Sequence, residues 1–232
     1  QDRLWQMTMM RRTAQGRLSE LFGADTLPID LVIRRLGIYG AARNSLQALR
    51  PETKRMLDAY AKGVNARLAE INNDSLGRGA PEFFIFSNSI SPWQPADSLA
   101  IFKLIGLQLS SHLATEVLRA RISLALGDSR VKDILPDAPG SAVSELEHFS
   151  TLFPDLATQY ASIAMPAQAF SPFKPAPLAG ASNVWAAMPG RSASGKTLLA
   201  NDPHLSLTAP SIWYLARLEL ETGGVIGGTV PG

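Results

Sequence analysis

Residues 177–210 read PLAGASNVWAAMPGRSASGKTLLANDPHLSLTAP, and two incompatible signatures share this stretch. One has the spacing of a phosphate loop: Gly190, four residues, then Gly195-Lys196-Thr197. The other is a serine, Ser182, that closes a Pro/Ala/Gly-rich run and opens a strand-like one. A phosphate loop needs a strand, a glycine turn, and then a helix whose N-terminus faces the anion. Asn183-Val184-Trp185-Ala186-Ala187-Met188 supplies a strand. Only Leu198, Leu199 and Ala200 separate Thr197 from Asn201-Asp202-Pro203, too few for a helix ahead of a proline. The stretch therefore predicts a hairpin, with residues 189–196 as connection and 197–200 as returning strand. Lys196 becomes a solvated turn lysine, and nucleotide binding at Gly190–Thr197 drops to a minor alternative.

Upstream, residues 154–181 contain Pro154, Pro166, Pro172, Pro175 and Pro177 with little hydrophobic periodicity. That is the composition of a spacer. A serine opening a strand directly after a spacer suggests scission before it. While Ala181–Ser182 is intact, the serine nitrogen is a delocalised amide and accepts no proton. Once cut, it is an α-amine with an ordinary pKa of about 8. That amine can activate the hydroxyl of its own residue, as in hydrolases with an N-terminal threonine.

Ser182-Asn183-x-Trp185, Gly195-Lys196 and Leu199-Ala200-Asn201-Asp202-Pro203-His204 together resemble the start of the β-chain of penicillin acylases. This is the penicillin amidase branch of the N-terminal-nucleophile hydrolases, which also includes acyl-homoserine-lactone acylases. Ala209-Pro210-Ser211-Ile212-Trp213-Tyr214 and the Gly-rich end fit as well. So do the α-chain-like strings QDRLWQMTMMRRTAQGRLSELFG, Tyr60-Ala61-x-Gly63-Val64-Asn65, Pro81-Glu82-Phe83 and Pro92-Trp93-x-Pro95-x-Asp97.

The resemblance implies an α+β fold. Residues 1–153 would be a helical α-chain-like region, 154–181 the spacer, and 182–232 the first strands of an incomplete αββα catalytic sandwich. It implies cleavage between Ala181 and Ser182, with Ser182 as nucleophile and His204 beside it. The activity implied is that of an amidohydrolase, autoproteolytically matured from a zymogen. Its partners would be a small N-acyl amide (a β-lactam antibiotic or an acyl-homoserine lactone) and the remaining β-chain of the same precursor. In the family the oxyanion hole uses a backbone N–H and an asparagine that would fall beyond Gly232. Such donors are worth roughly 3 kcal/mol each in the barrier. The 232 residues are thus expected to be an N-terminal fragment, inactive alone, from a periplasmic or secreted enzyme.

The resemblance also points to calcium. In calcium-binding relatives an α-chain glutamate in the segment of Glu116 joins β-chain oxygens, and one glutamate cannot hold such an ion. Read from the residues, Glu116 equally pairs with Arg119 or Arg121. Gly106, Ser110 and Leu205 depart from the bulkier or aromatic residues common at the acyl pocket.

Composition excludes several classes. With 22 basic and 20 acidic side chains the formal charge is +2, too weak to indicate nucleic acid. No cysteine is present, so no disulfide or thiolate metal site exists. No stretch approaches the ~20 apolar residues of a membrane span. The chain opens on Gln1 rather than Met, so the lack of a signal segment is uninformative. A catalytically inactive scaffold or binding module of the same fold remains a rival.

Elsewhere helices dominate. One is expected over residues 2–22 with Gly23 as its stop, and another over 31–38 closed near Gly37. A third begins at Pro51, with Met56, Tyr60, Val64 and Leu68 as one buried stripe. A loop region covers 72–96, with Asp97 or Ser98 capping a long apolar helix over 98–126 that kinks near Gly106. Residues 143–153 make a last short helix. Residues 211–220 form a strand with Trp213, Leu215 and Leu218 available for packing.

Overall fold

The computed structural model describes residues 3–73, 80–86, 90–109, 112–126, 128–135, 182–205 and 208–232. Helices fill the first part and short antiparallel strands the last, an α+β chain. The helix expected over residues 2–22 is in two pieces, α1 (Leu4–Gln15) and α2 (Ser19–Phe22). The break falls at Gly16, whose φ of 63° is left-handed. A side chain there would meet Arg34 Cγ at 2.7 Å and the Asp30 carbonyl oxygen at 2.8 Å, so only glycine fits without displacement. Beyond the break the amides of Leu18 and Ser19 donate to the Asp30 carboxylate at 2.9 and 2.8 Å, and Ser19 Oγ donates at 2.6 Å. These donors offset the burial of Asp30. Gly23 ends α2, as expected, and a 3₁₀ turn covers Gly23–Thr26.

Helix α3 (Leu27–Leu36) carries Pro28 in its first turn, where the missing N–H costs little. Gly37 closes it in the left-handed conformation, its amide donating to the Ile33 and Arg34 carbonyls. Helix α4 (Ile38–Ala48) follows at once. It has no Ser, Thr, Asp or Asn at its start, which is why the sequence gives no sign of it.

Helix α5 (Pro51–Asn73) starts where expected, but its stripe does not. Leu68 is buried and Val64 half-buried, whereas Met56 is 72% and Tyr60 43% exposed. Four-residue steps advance the helical angle by about 40° each, so Met56 and Leu68 stand roughly 120° apart. The buried positions, Ala61, Leu68 and Ile71, follow the i, i+7, i+10 pattern of a single face.

The region 72–96 includes a short helix, α6 (Glu82–Ile85). The long apolar helix is two helices, α7 (Pro95–Leu109) and α8 (His112–Leu126), and Gly106 lies inside α7. Because α7 begins at Pro95, Asp97 is its third residue and not the residue before the first turn. It caps by reaching back: Asp97 Oδ2 accepts from the Gln94 amide at 2.8 Å. A 3₁₀ turn (Asp128–Arg130) and α9 (Val131–Ile134) follow. The helix expected over 143–153, His148 and the spacer 154–181 lie outside the described residues.

The chain divides into two units. The first takes its residues from Gln1–Met10, Ala59–Trp93 and Pro175–Gly232, the second from Arg11–Asp58 and Gln94–Lys174. In the second, Ala14, Ile33, Ala42, Ala100 and Leu104 form the core, the alanines allowing close helix approach. Beside it Asp97, 1% exposed, accepts from Tyr39 Oη at 2.9 Å, Gln15 Nε2 at 3.4 Å and Arg11 Nη1 at 3.4 Å. Burial lowers the Arg11 guanidinium from its ordinary range, opposed by Asp97. Burial first, and the Asp97 charge second, push the Tyr39 phenol up.

In the first unit Leu4, Leu68, Ile71 and Phe83 make the core. Trp5 meets Phe83 edge-on at 5.2 Å and stacks on Phe86 at 5.4 Å, so the Trp/Met stretch of α1 serves packing here. Asn65 brackets the Trp93 backbone, accepting from its amide at 2.6 Å and donating to its carbonyl at 2.9 Å.

The same unit holds two hairpins. Strands β1 (Asn183–Ala187) and β2 (Leu198–Asp202) pair from Asn183↔Asp202 to Ala187↔Leu198. Strands β3 (Tyr214–Leu220) and β4 (Gly223–Thr229) pair from Tyr214↔Thr229 to Leu220↔Gly223. Strand β4 reads GGVIGGT, too glycine-rich to announce itself. Trp213, Leu215 and Leu218 stay available for packing: Leu215 is 83% exposed, and Leu218 and Trp213 are exposed too. A two-stranded ribbon has no second layer to cover its apolar rows. Arg3 Nη1 and Gln6 Nε2 donate to the Ser211 carbonyl at 2.6 and 3.1 Å, tying α1 to the segment that enters β3. No helix among the described residues is long and apolar enough to cross a membrane.

Candidate active site

The hairpin at residues 183–202 settles the opening ambiguity. After β1 the chain makes a 3₁₀ turn at Pro189–Arg191, and Gly195 has φ 66°. Ser192 Oγ and Ser194 Oγ lie 2.7 Å apart, and the Ser194 amide donates to Ser192 Oγ at 3.3 Å, so the turn's polar groups bind one another. Thr197 leads into a strand and not into a helix, and Lys196 is exposed. This stretch has the spacing of a phosphate loop without the helix N-terminus that binds phosphate.

Ser182 is exposed and stands one residue before β1, whose first rung is Asn183↔Asp202. His204 is exposed and stands two residues past the end of β2. The register therefore brings both to the same end of one ladder, though no hydrogen bond joins them. Asn201 Nδ2 donates to the Asn183 carbonyl at 3.3 Å, an added tie across the strands at this end. Ala181 lies outside the described residues.

A residue that sequence reasoning passed over joins this end. Asp202 Oδ2 lies 2.6 Å from His204 Nε2. No periodic pattern announced it, because Asp202 is the last residue of β2 and His204 lies beyond the strand, past Pro203. A carboxylate beside a histidine, at the end of the ladder where a candidate nucleophile stands, is a set of groups suited to acyl transfer.

Glu116 falls within α8. Among the described residues no three His, Asp or Glu side chains gather to hold a metal ion. The Glu116 side chain itself lies outside the described residues. A cavity of about 540 Å³ lies in the second unit between α4 and the start of α7, lined by Tyr39, Asn44, Gln47, Gln94 and others. It contains none of Ser182, His204 or Glu116.

The sequence profile of the penicillin amidase family matches residues 1–232. Penicillin acylase 2 proenzyme of Pseudomonas sp. (strain SE83) is 35% identical over 243 aligned residues, covering all of this chain and 30% of that protein. Acyl-homoserine lactone acylase QuiP of Pseudomonas aeruginosa is 31% identical across the whole chain, which spans 27% of its length. Penicillin G acylase of Escherichia coli is 37% identical over 102 residues, 44% of this chain and 12% of that protein. The chain thus spans about three-tenths, or less, of the length of these relatives.

Proposed function

Because this chain belongs to the penicillin amidase family, we propose that the whole protein hydrolyses N-acyl amides through an N-terminal serine freed by scission of Ala181–Ser182. The observation that carries this reading is the position of Ser182, exposed at the mouth of the β1–β2 ladder with His204 at the same end. In maturation the Ser182 hydroxyl attacks the Ala181 carbonyl and the C–N bond yields to an ester. Water hydrolyses that ester, leaving an Ala181 carboxylate and a Ser182 amine. In turnover the amine takes the hydroxyl proton as Oγ attacks the substrate acyl carbon. The leaving amine departs with a proton, and water then releases the carboxylic acid and restores the hydroxyl.

The two hairpins are the opening strands of an αββα sandwich, and the remaining β-chain of the precursor covers their exposed apolar rows. That β-chain also supplies the oxyanion donors, so residues 1–232 alone are inactive on this reading. Substrates are N-acyl β-lactams or acyl-homoserine lactones, the two classes named by the similar proteins. The enzyme works in the periplasm or outside the cell, which fractionation would check.

The test is the intact mass and N-terminal sequence of the full-length gene product. A free Ser182 N-terminus is expected, and Ser182→Ala should abolish both scission and acyl-enzyme formation. Continued scission before residue 182 in that variant would show that the serine does not process its own chain.

A further inference from the structure

Asp202 occupies the last rung of the β1–β2 ladder, opposite Asn183, and its carboxylate lies 2.6 Å from the ring of His204. The two side chains are about half exposed, 54% and 41%. Pairs so open to water add ~1 kcal/mol or less to stability, so this contact is of small use to folding. It does fix a ring at the end of the ladder where Ser182 stands. Resting on the reading that Ser182 and His204 act together, we infer that Asp202 is a positioning residue that sets the tautomer and orientation of His204.

The chemistry follows from the donor inventory. An ionised carboxylate only accepts, so Nε2 of a neutral His204 carries the proton and donates it to Asp202 Oδ2. The lone pair is then left on Nδ1. A ring in that state accepts a hydrogen bond from the hydroxyl or the α-ammonium of Ser182. The opposite tautomer presents an N–H, which the ammonium cannot accept and which meets the hydroxyl only as an acceptor, leaving the hydroxyl proton without a base. If the ring takes up a proton during turnover, the neighbouring carboxylate stabilises the imidazolium through a charge-assisted bond. An asparagine at 202 can donate or accept, so it neither selects the tautomer nor opposes the charge.

The test uses the processed full-length enzyme and N-acyl nitroanilides with acyl chains from acetyl to dodecanoyl. Asp202→Asn lowers kcat at least about tenfold with KM within about twofold, and Asp202→Glu recovers most of the loss. In a His204→Gln background the same Asp202→Asn change costs less than about twofold, because no ring remains to be positioned. Should Asp202→Asn block maturation, the same comparison is made on the rate of scission. An equal loss in both backgrounds, or none in the first, overturns the inference and leaves the nucleophile reading intact. Undiminished turnover by Ser182→Ala, or failure of every anilide to react, overturns instead the reading on which it rests.

Discussion

Replacing Asp97 by alanine removes a carboxylate that is 1% exposed and accepts from Arg11, Tyr39, Gln15 and the Gln94 amide. The largest loss is electrostatic. Arg11 is itself buried, and its guanidinium is already strained by desolvation that Asp97 opposes. Removing one partner of a buried ion pair costs ~3–5 kcal/mol, and the 3.4 Å separation argues for the lower end. Loss of the acid that reaches back to Gln94 adds about 1 kcal/mol. A total near 4 kcal/mol shifts the urea midpoint by roughly 2 M, for a denaturant slope of about 2 kcal/mol/M. Helical circular dichroism is the readout, since Trp5, Trp93, Trp185 and Trp213 all belong to the first unit. The decisive comparison is with Arg11→Met. Alone it should cost less than Asp97→Ala, because Asp97 keeps three other donors. Added to Asp97→Ala it should restore stability, because it removes a buried charge that has lost its counter-ion. If Arg11→Met instead lowers the stability of the Asp97→Ala protein further, the pair is not electrostatically coupled as described.

Other expectations are simpler. Gly16→Ala should destabilise by about 2–3 kcal/mol, since φ is 63° and Asp30 and Arg34 fill the space, while Gly37→Ala, at φ 66° with open surroundings, should cost about 1 kcal/mol; comparable melting temperatures would refute the steric argument. The Tyr39 phenol is raised in the folded state by burial and by Asp97. Its contribution to stability is therefore present below the unfolded phenol pKa of about 10 and lost as pH rises through the higher folded value. Tyr39→Phe should reduce that alkaline loss in urea titrations, leaving the share owed to Tyr60, also raised by burial. Lys196→Ala should leave stability within about 0.5 kcal/mol, and ATP should not raise the melting temperature of either protein; a nucleotide-induced shift abolished by the substitution would reinstate the phosphate loop.

What was legible in the sequence follows from which signals are local. The β1–β2 hairpin was readable because proline and glycine restrict the backbone wherever they occur, and they rule out a helix after Thr197. Gly37 and Pro51 marked helix ends for the same reason, whereas α3 starts at Leu27, ahead of the expected 31, with Pro28 inside its first turn. The break at Gly16 was not readable. It depends on Asp30 offering its carboxylate to Leu18 and Ser19, twelve and eleven residues away. Helix α4 lacks a cap residue, and β4 is held by its partner β3 against a poor intrinsic preference. The α5 stripe failed because strict four-residue spacing drifts off one face. At the candidate site Ser182 and His204 came from the residue pattern and the family likeness. Asp202 needed the structure, since only there does the turn past β2 bring the His204 ring back to its carboxylate.

The first rung of the β1–β2 ladder lies at Asn183, immediately downstream of the proposed scission point. Chain ends ordinarily fray, yet a terminus created here would be moored by its very next residue, with the Asn201 amide as a second line to the Asn183 carbonyl. Among the described residues every rung of this ladder lies downstream of that place, so the newborn amine would keep its address. Residue 183 would then serve as anchorage for a reactive tip only one peptide unit long.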